Sequence, residues 1–213
     1  MPLVFVVDDM SAVAAVTAER LAATGEFICR WFTDPLHLLL ELRPGMLDCL
    51  VADLAMPTMN GAELQDRVIE IDPCVSVVFV TGRADITTTV RVMERGAITL
   101  LEKPCGGDRI VHAVREGVQR TQARRALVKQ RHDAESALRE LTSDEQAVLE
   151  CMVRGWPNKT IARELSLSAR TVDRRRHDVL QKCGVSSVAE LAVLVACVER
   201  QVHDGSILKS VKP

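Results

Sequence analysis

The sequence predicts an α/β chain: a five-stranded parallel sheet of the (βα)5 kind over residues 1–120, then an all-α domain of four helices containing a helix-turn-helix. Three observations carry that reading. Short β-branched apolar runs recur at Leu3–Val7, Phe27–Phe32, Leu47–Ala52, Val75–Val80 and Ile98–Leu101. Amphipathic stretches near 11–23, 35–43, 61–71, 85–95 and from about 108 separate them, the alternation that builds a parallel sheet covered on both faces. Beyond residue 120 the strand signal stops and helical spacing takes over.

Each element has its own punctuation. Asp34-Pro35 and Asn60-Gly61 supply helix-start and turn chemistry between strand and helix. Residues 121–140 are rich in Arg, Ala, Gln and Glu and hold no proline or glycine, which favours helix by propensity. Leu127, His132, Ala134 and Leu138 give this stretch only a weak apolar stripe, so it reads as an exposed, semi-rigid linker and not a coiled coil. A second domain is expected over 141–201. Thr142 with Glu145 forms a capping box for a helix that runs to about Arg154 and stops at Gly155-Trp156-Pro157. Asn158 is expected to cap a short helix over Lys159–Leu165, Ser166-Leu167-Ser168 to form a turn, and Ala169–Cys183 to be the next helix, ended by Gly184. A last apolar helix covers Val188–Val198, and residues 202–213 are a tail.

Composition narrows the class. The 213 residues are 47% hydrophobic and 26% charged, ordinary for a soluble globular protein. No run approaches the eighteen or so apolar residues of a membrane helix, and the start reaches Asp8-Asp9 after a brief apolar stretch, unlike a signal peptide. Seven scattered cysteines without a C-x-x-C pair argue against a disulfide framework or a metal cage and fit a reducing cytoplasm. The net charge of −2 hides a partition: residues 1–120 carry 11 Lys+Arg against 17 Asp+Glu, whereas 121–140 and 141–213 are each net +2. An acidic first half and a mildly basic second half suit a cation-binding domain joined to a polyanion-binding one.

In an open parallel sheet, ligands bind at the carboxyl ends of the strands near the topological switch point. The first run ends in Asp8-Asp9, the third in Asp53, the fourth in Thr81 and the fifth in Glu102-Lys103-Pro104. A lone strand-end aspartate is commonly a helix cap. Three carboxylates meeting in one crevice would repel unless a cation sits among them, and hard oxygen donors suit Mg²⁺. Lys103 and Thr81 could then hold the oxygens of a phosphoryl group.

Asp8-Asp9, Asp53 with Met56-Pro57 and Asn60-Gly61, Thr81-Gly82 and Lys103-Pro104 together resemble the receiver domain of two-component response regulators. The resemblance implies that Asp53 accepts a phosphoryl group from a sensor histidine kinase. It also implies that Asp8, Asp9, Asp53 and the backbone carbonyl of Ala55 bind Mg²⁺, and that Thr81 and Lys103 contact the phosphoryl oxygens and work the switch. Ala55 and Arg83 occupy positions that tune phosphoryl lifetime in that family. Leu100 and Cys105 stand where aromatics are usual, so the switch is expected to propagate through packing and not through an aromatic rotamer.

The helix over 169–183 can be read by geometry. At 100° per residue Val172, Val179, Leu180 and Cys183 share one face, while Arg170, Arg174, His177 and Gln181 lie opposite. Arg175 and Asp173 flank that exposed face, and Arg176 points nearer the core. As the second helix of a helix-turn-helix it would enter the major groove. Leu141-Thr142, Gly155, Asn158-Lys159, Ile161-Ala162, Leu165, Leu167-Ser168, Thr171-Val172, Lys182, Gly184-Val185 and Glu190-Leu191 resemble the LuxR-type DNA-binding domain. The domain order is similar to the NarL/FixJ class of transcriptional regulators. By that resemblance Lys159, Thr171, Arg174 and His177 stand where DNA contacts are expected, and the exposed face with its flanks adds Arg170, Asp173 and Arg175. Two departures stand out. Asp144 and Ala147 replace the usual Arg and Glu of the first helix, which removes an expected ion pair, and Asp173 stands where Lys is usual. Such an acid could accept from cytosine N4 and alter base preference.

The function expected is a cytoplasmic response regulator in which Asp53 phosphorylation switches the helix-turn-helix domain to bind duplex promoter DNA, helped by a phosphorylation-favoured homodimer. One alternative is an interaction module whose helical domain binds protein instead of DNA. A phosphatase with Asp53 as nucleophile is disfavoured because Ala55 supplies no acid/base group two residues on.

Overall fold

In the computed structural model, which describes residues 1–82 and 85–207 with side chains to residue 198, five strands form one wholly parallel sheet. They are β1 (Leu3–Val7), β2 (Ile28–Phe32), β3 (Cys49–Ala52), β4 (Ser76–Thr81) and β5 (Thr99–Glu102), in the order β2-β1-β3-β4-β5. Helices α1 (Ser11–Ala22), α2 (Pro35–Glu41), α3 (Gly61–Ile71), α4 (Ile86–Glu94) and α5 (Gly107–Arg139) alternate with them. The central strands β3 and β4 are buried along their whole length, as expected of strands covered on both faces. Successive side chains point to opposite faces, so Phe5, Leu50, Val77 and Phe79 feed one core layer while Val4, Val6, Val51, Val78 and Val80 feed the other. The strand order reverses between β1 and β3, which makes the carboxyl ends of these two the switch point.

The chain divides into two compact units, Met1–Ala126 and Leu127–Pro213, and α5 begins in the first and ends in the second. This moves the boundary expected at residue 120. The opening turns of the supposed linker belong to the receiver-like unit. Thr121 is fully buried, where its hydroxyl accepts from the Ser76 amide at 3.0 Å. The Arg125 guanidinium pairs with Asp48 at 3.1 Å and Asp72 at 2.8 Å and donates to the Leu47 carbonyl at 2.7 Å. Propensity alone could foresee the helix but not these long-range partners. Nor is the remainder of 121–140 simply exposed, because Ala134 is buried and Leu138 packs against the second core.

Burial pushes the Asp72 carboxyl up, but hydrogen bonds from Gly45, Arg125 and Cys74 prevail and hold it below its usual value. A carboxyl depressed on folding stabilises fully above its unfolded pKa, about 3.9, and that contribution is lost as pH falls through the lower folded value. Arg125→Ala should therefore cost about 1–3 kcal/mol in urea unfolding at pH 7. The gap from wild type should shrink as pH drops below about 4. A gap that stays constant from pH 7 to pH 3 would contradict this account.

The second unit contains α6 (Ser143–Val153), α7 (Asn158–Glu164), α8 (Ala169–Lys182) and α9 (Val188–Ile207). Val148, Met152, Ile161, Val172, Val179 and Leu191 form its core. Both halves of the Thr142–Glu145 capping box are present, and Gly155 and Gly184 end α6 and α8 in the left-handed conformation, with φ of 76° and 64°. Two expectations are revised. Pro157, not Asn158, precedes α7, with no side-chain cap. The last helix runs past Val198 to Ile207, so half of the expected tail is helical; residues 208–213 lie outside the described residues, as does Arg83.

Candidate functional site

The strand-end residues do converge. Their backbones extend the ladders just beyond the strands: Asp8 donates to the Phe32 carbonyl, Asp53 to that of Val7, and Lys103 to that of Thr81 at 2.8 Å. One carboxylate oxygen from each of Asp8, Asp9 and Asp53 lies within 4.8 Å of the others. Asp8 and Asp53 are only 4% and 8% exposed, whereas Asp9 faces solvent. The Lys103 ammonium bridges the pair, donating to Asp8 and, at 3.0 Å, to Asp53 Oδ2. Asp53 Oδ1 accepts from the Ala55 amide at 3.2 Å, and the fully buried Thr81 hydroxyl is also bonded to Asp53.

Burial works against ionising Asp53, but the bonds from Lys103, Ala55 and Thr81 outweigh it and hold the carboxyl below its ordinary value. Burial likewise works against the charged Lys103, and Asp8 and Asp53 reverse this, raising its pKa. Asp53 is thus held as a carboxylate, the form able to act as a nucleophile. Three hard oxygen donors, one of them open to solvent, with a single ammonium among them, fit a divalent cation that keeps several waters.

Sequence reasoning missed what Gly61 does here. A β-carbon on Gly61 would lie 2.3 Å from the Asp53 carbonyl oxygen and 2.9 Å from Leu54 Cα. The start of α3 therefore packs directly on the Asp53 peptide, with the Gly61 amide donating to Leu54 at 3.0 Å. The Asn60-Gly61 pair signalled a turn, but not that contact. Leu100 is partly buried against the core layer that holds Phe79, and Cys105 against the other.

In the second unit, α7 and α8 are joined by a turn in which Ser166 takes a positive φ of 53°, and Ser168 caps α8 by accepting from the Thr171 amide at 3.1 Å. Val172 and Val179 are buried, while Lys159, Arg170, Asp173, Arg174 and His177 are exposed and Thr171 is half-buried. Arg175 differs from the exposed group, because it is paired with Asp144 and its side chain is 19% exposed. The ion pair thought lost with the departures at 144 and 147 is therefore made in another form. A second one, Lys182 to Glu145 at 2.7 Å, again ties α8 to α6. Asp173 accepts from the Asn158 amide across the turn.

Comparison with known proteins accounts for both units. Residues 4–115 match the response regulator receiver domain, and residues 139–195 match the bacterial regulatory proteins of the luxR family. The transcriptional regulatory protein FixJ of Azorhizobium caulinodans is 33% identical over 188 residues, 88% of this chain and 89% of that protein. The response regulator protein TmoT of Ectopseudomonas mendocina is 28% identical over 189 residues, covering 89% and 86%. Among solved structures, the response regulator StyR superposes with a TM-score of 0.83 at 38% identity, covering 92% of this chain and 98% of that one. With both the phosphoacceptor sheet and the helix-turn-helix unit matched in this order, the chain belongs to the response regulator family and is a two-component transcriptional regulator of the NarL/FixJ class, with a receiver domain and a LuxR-type DNA-binding domain.

Proposed function

We propose that Asp53 is the phosphoacceptor, that a sensor histidine kinase is the donor, and that the phosphorylated chain binds duplex promoter DNA through α8, favoured by homodimer formation. The observation that carries the first part is the convergence on Asp53 of a lysine ammonium, a buried hydroxyl and two further carboxylates. An Asp53 oxygen would attack the phosphorus of a phosphohistidine, forming a P–O bond as the P–N bond breaks and leaving the imidazole on the kinase. Lys103 offers charge to the equatorial oxygens and Thr81 a hydroxyl. Asp8, Asp9, Asp53 and the Ala55 backbone carbonyl would hold Mg²⁺, which when bound supplies positive charge that offsets repulsion between the carboxylate and the incoming phosphoryl group. Ala55 brings no acid or base, so the chain turns over at most its own phosphoryl group and is not a general phosphatase.

Lys159, Arg170, Arg174 and His177 support the DNA reading by their exposure around α8, with the half-buried Thr171 beside them in its first turn. Arg175 would serve chiefly to seat α8 against α6. A cytoplasmic setting is consistent with this function, and among the described residues no helix is long and apolar enough to cross a membrane.

The test uses full-length protein, acetyl phosphate and Mg²⁺. Wild type should take up about one phosphoryl group per chain and gain salt-dependent affinity for duplex DNA, whereas Asp53→Asn should do neither. Labelling of Asp53→Asn at the wild-type level would overturn the phosphoacceptor assignment. A helical domain that binds only protein would give no dependence of duplex binding on salt.

A further inference from the structure

The exposed face of α8 carries an acid at its edge. At 100° per residue Arg170, Arg174 and His177 share one side, and the exposed Asp173 flanks them, one turn from both Arg170 and His177 along the helix. On a surface that meets a polyanion an aspartate weakens attraction to phosphate, so its presence calls for a compensating use. Its conformation offers one. Left alone, the carboxylate would fold onto Arg170 three residues before it or His177 four after it. Instead its Oδ1 accepts from the side-chain amide of Asn158, the half-buried first residue of α7. That bond crosses the helix-turn-helix turn and leaves acceptor capacity on Oδ2.

We infer that Asp173, oriented by Asn158, is a specificity-determining acceptor that reads the N4 amine of a cytosine in the major groove. This rests on the DNA-binding reading above and deepens it. An ionised carboxylate has no hydrogen to donate, so it can satisfy only the amine-bearing base edges. Of these, cytosine N4 suits a single carboxylate acceptor, whereas adenine is read best by an amide that both donates and accepts. The same carboxylate repels guanine O6 and thymine O4, so it selects by exclusion as well as by attraction. Asn158 is a positioning residue: it holds the carboxylate and need not touch a base.

The experiment is in-vitro selection of duplex sites by the full-length chain treated with acetyl phosphate and Mg²⁺, at fixed salt, for wild type, Asp173→Asn, Asp173→Lys and Asn158→Ala. Wild type should prefer cytosine at one position of each half-site by about tenfold or more. At that same position Asp173→Asn should turn to adenine and Asp173→Lys to guanine, with the remaining positions unchanged. Asn158→Ala should keep cytosine but with a preference several-fold weaker. Circular dichroism and melting temperature identify any variant that has lost its fold, and Asp173→Asn, which still offers Asn158 an acceptor, guards against that outcome. If all three variants select the wild-type site, the inference is wrong. Wild type that binds no duplex at any salt would instead remove the DNA reading itself.

Discussion

Gly61→Ala should destabilise the receiver unit by about 3 kcal/mol and slow Asp53 phosphorylation by roughly ten- to a hundredfold. The added methyl meets the Asp53 carbonyl oxygen at 2.3 Å, Leu54 Cα at 2.9 Å and a Phe79 ring carbon at 3.0 Å. Two of these are backbone atoms and cannot rotate away. Either α3 moves off the end of β3 or the Asp53 peptide shifts, and neither is a small change. The Asn60–Glu63 capping box fixes the first turn of α3, and the Asp53 amide is a rung between β3 and β1. A shift near 1 Å in a reacting group is enough to cost the stated rate. The reason is close approach and not backbone conformation, because Gly61 does not have a positive φ. Gly106→Ala, where the methyl meets open space, is the control and should be near neutral. The melting transition should fall by roughly 10 °C in Gly61→Ala alone. Melting and labelling at wild-type levels would show that the loop can absorb the methyl.

The same contact shows what sequence reading could and could not reach. Strand runs and helix stretches follow from local periodicity, and every expected receiver element appears within a few residues of its place. Asp8, Asp9, Asp53, Thr81 and Lys103 were legible because a parallel sheet gathers its strand ends on one side, whatever lies between them in sequence. Gly61, Thr121 and Arg125 were not legible by that route. What they do depends on a distance of approach or on partners 45 to 78 residues away, as for Thr121 with Ser76 and Arg125 with Leu47. Composition assigned residues 121–126 to a linker because helical propensity does not say what a helix packs against.

In the second unit, periodicity put Val172 and Val179 in the core and Arg170, Arg174 and His177 outside, as found. The pairs that cross between helices were harder. By sequence Asp144 stands out only as a missing arginine, yet it engages Arg175, and Asn158 has the position of a cap, yet its amide serves Asp173. In each case a residue was assigned by its local position, while its side chain answers to a neighbour about one helix away. The two pairs join α8 to its neighbours, Asp144 from α6 and Asn158 from α7, and neither partner is visible in the local pattern of α8.

Lys103→Met should separate two properties that the wild-type site combines. In the folded chain the Lys103 ammonium already occupies oxygens of Asp8 and Asp53, the carboxylates that a divalent cation would need. Removing it leaves Asp8, Asp9 and Asp53 facing one another, with a repulsion of about 3 kcal/mol per close pair at an effective dielectric near 20. Without divalent cations the variant should lose about 2–4 kcal/mol of stability, since two nearly buried carboxylates lose their counter-charge. Added Mg²⁺ should restore more stability to the variant than to wild type, and its Mg²⁺ affinity should rise several-fold, because the competing charge is gone. Phosphorylation of this tighter-binding variant should nevertheless fail to raise DNA affinity, since no ammonium remains to engage the phosphoryl oxygens from the end of β5. Two titrations decide the matter: Mg²⁺ against unfolding midpoint, and phosphorylated protein against duplex DNA. If Mg²⁺ affinity falls in parallel with the response, Lys103 acts by shaping the carboxylate cluster and not by contacting phosphate. Tighter Mg²⁺ binding with an intact response would remove Lys103 from the switch and leave Thr81 to carry it.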